Sequence, residues 1–271
     1  MPHPVPLQPS RQRPLMLVWQ PCHPRSGRPL RFAVFRNAFR ERLRAAAARH
    51  RMALLDRLAL PDGFLLLCDP ASLAQLASIV GTPKSGTAAN ARRRSDRQLW
   101  RGRYAITLVQ SAALAQCLLT MDLAPTAAGL VVHPAAWPHS GWHELAGLRR
   151  RYCLLLPSAA EAALAAARPC PAAGHHSTDP DRHSYVAIAE RCLRRRRHRS
   201  IQAWTAALAV GQSDWIDRLL APVPEGSRHL ARIAADDLPL DTPAPLLAVT
   251  SGRRRSRDLV HIIRRATEGG A

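Results

Sequence analysis

Two apolar runs, MALLDRLAL (52–60) and FLLLC (64–68), are separated only by Pro61-Asp62-Gly63. No other stretch constrains the fold as tightly. Proline, aspartate and glycine together turn the chain back on itself, and three residues are too few for a crossover, so the two runs must pair as an antiparallel hairpin. The second run stops at Asp69-Pro70, a pair that breaks strands.

Around this hairpin the apolar periodicity alternates. LMLVW (15–19) reads as a strand, and residues 32–50 as a helix with Phe32, Phe35, Phe39, Leu43 and Ala46 on one stripe. A helix at about 71–80 precedes a Gly/Ser/Arg-rich loop, and YAITLV (104–109) is a fourth strand. A helix over 110–121 follows, stopped by Pro125. The order β-α-β-β-α-β-α predicts an α+β class: a ferredoxin-like antiparallel sheet with helices on one face. Residues 1–13 are Pro-rich and read as disordered, 14–156 as this domain, and 157–184, rich in Ala, Pro, His and Ser, as a linker. Residues 185–271 read as an all-helical C-terminal extension. There Ser213 suits an N-cap, Asp214 and Asp217 the first turn, and Trp215, Ile216, Leu219 and Leu220 the apolar face.

The charge points to a class of partner. Lys+Arg total 39 against 19 Asp+Glu, a net charge of +20, and Lys84 is the only lysine. Such an excess attracts polyanions, and the planar guanidinium suits phosphate, so a nucleic acid is the expected class of partner. No apolar stretch approaches the roughly 20 residues of a bilayer span. The segment MPHPVPLQPSRQRP lacks the apolar centre of a secretory signal, so the expected compartment is the cytoplasm. The nearest two of the six cysteines, Cys153 and Cys170, are 17 residues apart, which gives neither a zinc pair nor a disulfide framework.

Two basic groups are candidates for nucleic-acid contact. Arg92, Arg93, Arg94, Arg97, Arg101 and Arg103 surround Trp100 before the fourth strand. Read functionally, the guanidinium groups meet phosphates while the indole stacks on a base or braces the loop. The competing reading is a solvated loop with Trp100 in the core. At the C-terminus, Arg254, Arg257, His261, Arg264 and Arg265 lie opposite Leu259, Ile262, Ile263 and Ala266 on one helix, a separation of faces that suits a DNA-binding helix or an ordinary surface helix. Arg194–Arg197 with Arg199 close an earlier helix, where basic residues also favour the helix dipole. His139 and His143 are spaced i,i+4, but Pro138 disturbs that helix start and they make a poor metal pair.

The order of elements and several segments together resemble the single-tyrosine transposases of the His–hydrophobic–His type, the REP-associated branch in particular. LPDGFLLLC (60–68) corresponds to a hairpin reading "MPNHVHLLL" in that family, and RQLWRGRYAITLV (97–109) to its "G-LW-GRY" segment. TMDLAPTAAGLV (120–131) and WPHSGW (137–142) correspond to "YIELNPVRAGLV" and "YPWSS". LAVGQSDWIDRLL (208–220) and SGRRRSRDLVHIIRR (251–265) are similar to tail segments of longer members. The resemblance implies single-stranded or hairpin DNA as the ligand, and monomers or homodimers. It also implies cleavage by a tyrosine hydroxyl beside a divalent metal such as Mg²⁺, held by two histidines on one strand face.

The matching positions lack that chemistry. Gly63 and Leu65 stand at the histidine positions, Thr120 at the tyrosine, and Ala124 at a nearby asparagine. With Leu114, Cys117, Leu118 and Met121 taken as the buried stripe, Thr120 is expected off it, where an active-site residue would stand. Tyr104 matches a strand-start residue, while Tyr152 and Tyr185 fall outside the matched helix. The leading expectation is therefore a transposase-like DNA-binding protein without cleavage activity, metal or other cofactor. Three alternatives stay open: an active transposase or single-strand endonuclease with displaced catalytic residues, a nucleic-acid-binding regulator acting through its C-terminal helices, and a decaying gene product.

Overall fold

In the structure, a computed structural model, residues 14–23, 29–70, 73–92, 99–149, 153–155, 181–194, 201–221, 228–233 and 246–251 are described. Strand β1 (Leu15–Pro21) leads to helix α1 (Ala33–His50), and β2 (Ala53–Leu60) and β3 (Gly63–Asp69) form the expected hairpin. Its turn is tight: Leu60 pairs with Gly63 across Pro61-Asp62. Helix α2 (Leu73–Arg92), β4 (Ala105–Val109) and α3 (Leu114–Ala127) follow. The four strands lie in the order β2-β3-β1-β4 with every neighbour antiparallel, the ferredoxin-like arrangement.

Three expectations need correction. Helices do not keep to one face. Phe64, on the face that also presents Leu66 and Cys68, meets Phe39 of α1 at 4.5 Å and Trp100 edge-on at 5.3 Å. On the opposite face, where Leu65 and Leu67 point, α3 packs beside β2, and Thr107 donates to the carbonyls of Trp204 and Ala207 at 2.7 and 2.8 Å. The cause is legible in β3 itself. Phe64-Leu65-Leu66-Leu67 is apolar without alternation, so both faces of the strand must be covered.

Nor is the C-terminal extension all-helical. After α4 (Trp142–Leu145), α5 (Asp181–Arg194) and α6 (Gln202–Ala206), strand β5 (Ala209–Gly211) adds to β4 in parallel. Helix α7 (Ser213–Leu220) then precedes the antiparallel pair β6 (Arg228–Ile233) and β7 (Leu246–Ser251), which extends the sheet to the order β2-β3-β1-β4-β5-β7-β6 among the described residues. Leu246-Leu247-Ala248-Val249-Thr250 is a short apolar run with β-branched residues and Pro245 before it, which is a strand signal. Helix α5 begins inside the expected linker, whose residues 157–180 lie outside the described residues, as do residues 1–13 and the helix expected near 254–266.

Helix limits also differ. Helix α2 runs through the segment expected as a loop, despite Gly81, Pro83 and Gly86. Tertiary bonds outweigh weak local propensity: Gln75 donates to the His50 carbonyl at 2.7 Å, and Lys84 to the Gln20 side chain at 2.9 Å and the Gly102 carbonyl at 3.0 Å. Phe32, expected on the buried stripe of α1, caps that helix instead and is 48% exposed, with the Arg31 guanidinium 4.6 Å from its ring centre. Gln212, not Ser213, occupies the N-cap of α7, where Ile216 and Leu220 are buried. Cys22, Cys68 and Cys117 are buried free thiols, and Cys192 is buried as well. Among the described residues no helix is long and apolar enough to cross a membrane.

Candidate functional site

At the positions where the family resemblance implies metal ligands, the chain is packed solid. Gly63 pairs with Pro21 at the end of β1, and a Cβ added to it would collide with the Trp19 ring and come within 2.5 Å of the Gln20 carbonyl oxygen. Leu65 pairs with Trp19 and is fully buried. Neither residue has a donor atom, and the indole fills the space beside them, so these residues do not fit a metal ion. Thr120 is buried too, and its hydroxyl donates to the Gln116 carbonyl, one turn back, at 2.8 Å. That corrects the expectation that Thr120 stands clear of a buried stripe. Every residue of α3 from Leu114 to Pro125 is buried, because the helix lies between β2 and α5.

The basic loop divides. Arg101 and Arg103 are exposed, flanking Gly102 at φ 56°, and the Arg101 N–H donates to the Pro21 carbonyl at 3.0 Å. Both therefore stand at the same end of the sheet as the hairpin turn. Trp100 is buried against Phe64 and its Nε1 donates to the Lys84 carbonyl at 2.8 Å, so it braces the loop and presents no face for a base. Arg93, Arg94 and Arg97 lie outside the described residues, as do Arg254, Arg257 and Arg264; Arg92 ends α2, its side chain likewise outside them.

The structure also assembles a buried polar cluster that periodicity did not reveal. Asp56 lies next to a bulge in β2, faces α3, and is fully buried; its Oδ1 accepts the Arg57 N–H, and its Oδ2 has no hydrogen-bond partner among the described residues. Burial, then the charge of Asp122, push its carboxyl well above the usual range. Asp122 of α3 accepts the Tyr185 hydroxyl of α5 at 2.7 Å, and burial pushes it up to about 7 against that hydrogen bond. The Tyr185 hydroxyl is itself held well above its ordinary value, first by burial and then by Asp122. Arg57 points to the other face of β2 and donates to Glu144 Oε1 at 2.8 Å. Glu144 Oε2 accepts the N–H groups of Leu154 and Leu155 at 2.6 and 2.9 Å.

Charges inside MALLDRLAL and LLTMDLA were the available signal, since a carboxylate amid a run of core residues needs a buried partner. The cluster has no opening to substrate: Asp56, Asp122, Tyr185, Arg57 and Glu144 are all buried. Its arrangement ties α3, α5 and the segment after α4 to the edge strand. That edge is covered as well, by the Ala59 N–H donating to the His139 carbonyl at 2.9 Å and by Trp137 Nε1 donating to the Ala59 carbonyl at 3.0 Å. His139 is held down to about 4, first by burial and then by Arg36, Arg57, Arg40 and Arg149. His143 is also lowered, first by burial and then by Arg149 and Arg57, against a backbone hydrogen bond with Ala135 and the charge of Glu144.

No protein-family profile matches the chain, and no curated protein does either. A solved structure that is similar is that of a REP-associated tyrosine transposase bound to a REP hairpin: 11% identical, matched over 62% of this chain and 94% of that one, with a TM-score of 0.41. At that identity and score the likeness assigns no role to any residue here.

Proposed function

We propose that this chain is a transposase-like DNA-binding protein that takes single-stranded or hairpin DNA and does not cut it. One juxtaposition carries the reading: a net charge of +20 accompanies a sheet whose metal and nucleophile positions are filled by Trp19, Leu65 and a Thr120 bonded to its own helix. A buried hydroxyl that already donates to a carbonyl one turn back is committed to that bond and is poorly placed to be activated as a nucleophile. Arg101 and Arg103 at the hairpin end, with Arg92, Arg93, Arg94 and Arg97 before them in sequence, supply the phosphate contacts of this reading, and Arg254, Arg257 and Arg264 supply more.

The test is a binding titration of the full chain against a DNA hairpin and a duplex of equal length across a salt series. For about 4–6 phosphate contacts to unpaired strand, log K should fall against log salt with a slope of about −3 to −4. The hairpin should be preferred by about tenfold at the highest salt that still permits binding, because shape and unpaired bases survive screening while charge does not. Equal affinity for both at every salt would mean charge alone, and the reading would fail. In the same titration, R254Q/R257Q/R264Q should weaken binding while preserving the hairpin preference. Loss of that preference would favour a regulator working through its C-terminal segment.

A further inference from the structure

Around His139 the chain gathers more positive charge than it neutralises. Arg36 and Arg40 stand one turn apart on α1, Arg57 on the edge strand and Arg149 just beyond α4, and all four act on the His139 ring. Among the described residues, two carboxylates stand against them. Glu144 is 2.8 Å from Arg57 and 3.6 Å from Arg149, and Glu41 is shared between Arg40 at 3.4 Å and Arg44 at 3.3 Å.

The donors are held in place yet incompletely used. Arg36 Nη1 donates to the carbonyls of Leu30 and Arg31 at 2.7 Å each, and its guanidinium lies 4.9 Å from the Trp137 ring centre, so its orientation is fixed. Its buried Nε has no hydrogen-bond partner among the described residues, and the Nη1 of Arg149 has only the long 3.6 Å ion pair to Glu144. The side chains of Arg40 and Arg149 keep 33% and 23% of their surface exposed, so the cluster is open to solvent from one side. Guanidinium groups gathered around one imidazole repel one another, and an anion that presents acceptor oxygens to their exposed parts relieves that repulsion.

We infer that Arg36, which lies over Trp137, forms with Arg40 and Arg149 a phosphate-binding site for a nucleic-acid backbone. This rests on the DNA-binding reading and gives it a second surface. Trp137 bonds to Ala59, two residues before Pro61, so the cluster lies toward the sheet end that also carries Arg101 and Arg103. A strand crossing that end would meet both groups. Free phosphate shares the same chemistry, and the experiment separates the two sources.

The full chain is titrated with an oligothymidylate of about a dozen nucleotides and, separately, with inorganic phosphate at matched ionic strength. The readouts are affinity and the NMR signal of the His139 ring, assigned with H139Q. R40Q/R149Q should weaken oligonucleotide binding about tenfold or more and flatten the salt slope by about 1.4, two contacts at about 0.7 each. The charge-matched R49Q/R191Q, at exposed positions on α1 and α5, should change affinity by no more than about twofold. R40Q alone, at a partly exposed helix position, should move in the same direction as the double variant. The oligonucleotide should shift the His139 signal in the wild-type chain.

Undiminished affinity in R40Q/R149Q with a stationary His139 signal would overturn the site while leaving DNA binding intact. So would equal losses in both double variants, which would mean diffuse charge. If the oligonucleotide fails to bind but inorganic phosphate shifts His139, the phosphate site stands, the DNA reading falls, and the source is a small phosphate. If the oligonucleotide does not bind and neither ligand moves the signal, the site is overturned together with that reading.

Discussion

Glu144→Ala should destabilise the protein by about 3–5 kcal/mol, the loss expected when one partner of a buried ion pair is removed. Glu144 is buried and occupied on both oxygens: Oε1 by Arg57 at 2.8 Å, Oε2 by the N–H groups of Leu154 and Leu155 at 2.6 and 2.9 Å. Removing it strands the Arg57 guanidinium inside the protein, where its Nε already lacks a hydrogen-bond partner among the described residues. It also leaves two backbone donors without an acceptor. In thermal unfolding the midpoint should fall by about 10 °C, taking about 2–4 °C per kcal/mol for a chain of this size. Glu144→Gln, which keeps an acceptor for the backbone but not the charge for Arg57, should fall between wild type and alanine. A loss below about 1 kcal/mol for alanine would mean that Arg57 finds water or another acceptor, and that this cluster does not hold the edge of the sheet.

The second large effect is in pH. Burial holds Asp122 up to about 7 in the folded protein, against about 3.9 for an unfolded aspartate. Between those values the folded state binds the extra proton, so the contribution of Asp122 to stability is present at low pH and is lost as pH rises toward 7. Asp56, also pushed up chiefly by burial, acts in the same sense. His139 acts oppositely. Held down to about 4, it stays neutral in the fold while the unfolded chain takes up a proton, so its contribution grows as pH rises through the same range.

The net curve is therefore compensated, and the informative quantity is the difference between Asp122→Asn and wild type. Near pH 4 the two should be nearly equal, since asparagine resembles the protonated carboxyl that accepts from Tyr185. By pH 7.5 the variant should have gained on the order of 4 kcal/mol relative to wild type, at about 1.4 kcal/mol per pH unit. Denaturant unfolding at a series of pH values measures it. A difference that does not change with pH, or that favours wild type as pH rises, would show that Asp122 is ionised in the fold.

How much of this the residues foretell depends on the range of the interactions. Pro61-Asp62-Gly63 forces the hairpin through local geometry, and the β-α-β-β-α-β order then leaves little choice of sheet. Strand β5 escaped because it is three residues long and is made a strand by its neighbour β4, not by its own sequence, whereas β7 carries a strand signal of its own in residues 246–250. Helix α2 outran its expected end because Lys84 and Gln75 tie it to other elements, which no periodicity records. Gly63, Leu65 and Thr120 were legible as missing chemistry, but not the reason the gap is closed: Trp19 comes from the neighbouring strand and lies over Gly63. Likewise Asp56 and Asp122 are 66 residues apart in sequence, and only the placement of α3 on β2 makes them neighbours.

The central proposal is that this chain binds DNA on its exterior while the positions matching cleavage residues in the resembling family are core. The most direct test incubates the full chain with labelled single-stranded hairpin DNA and Mg²⁺ or Mn²⁺, then divides the sample between a native binding gel and a denaturing gel. The account predicts a retained complex on the native gel with intact DNA and no covalent protein–DNA product on the denaturing one. A metal-dependent covalent adduct, lost on replacing Thr120 or any one of Tyr104, Tyr152 and Tyr185, would contradict it.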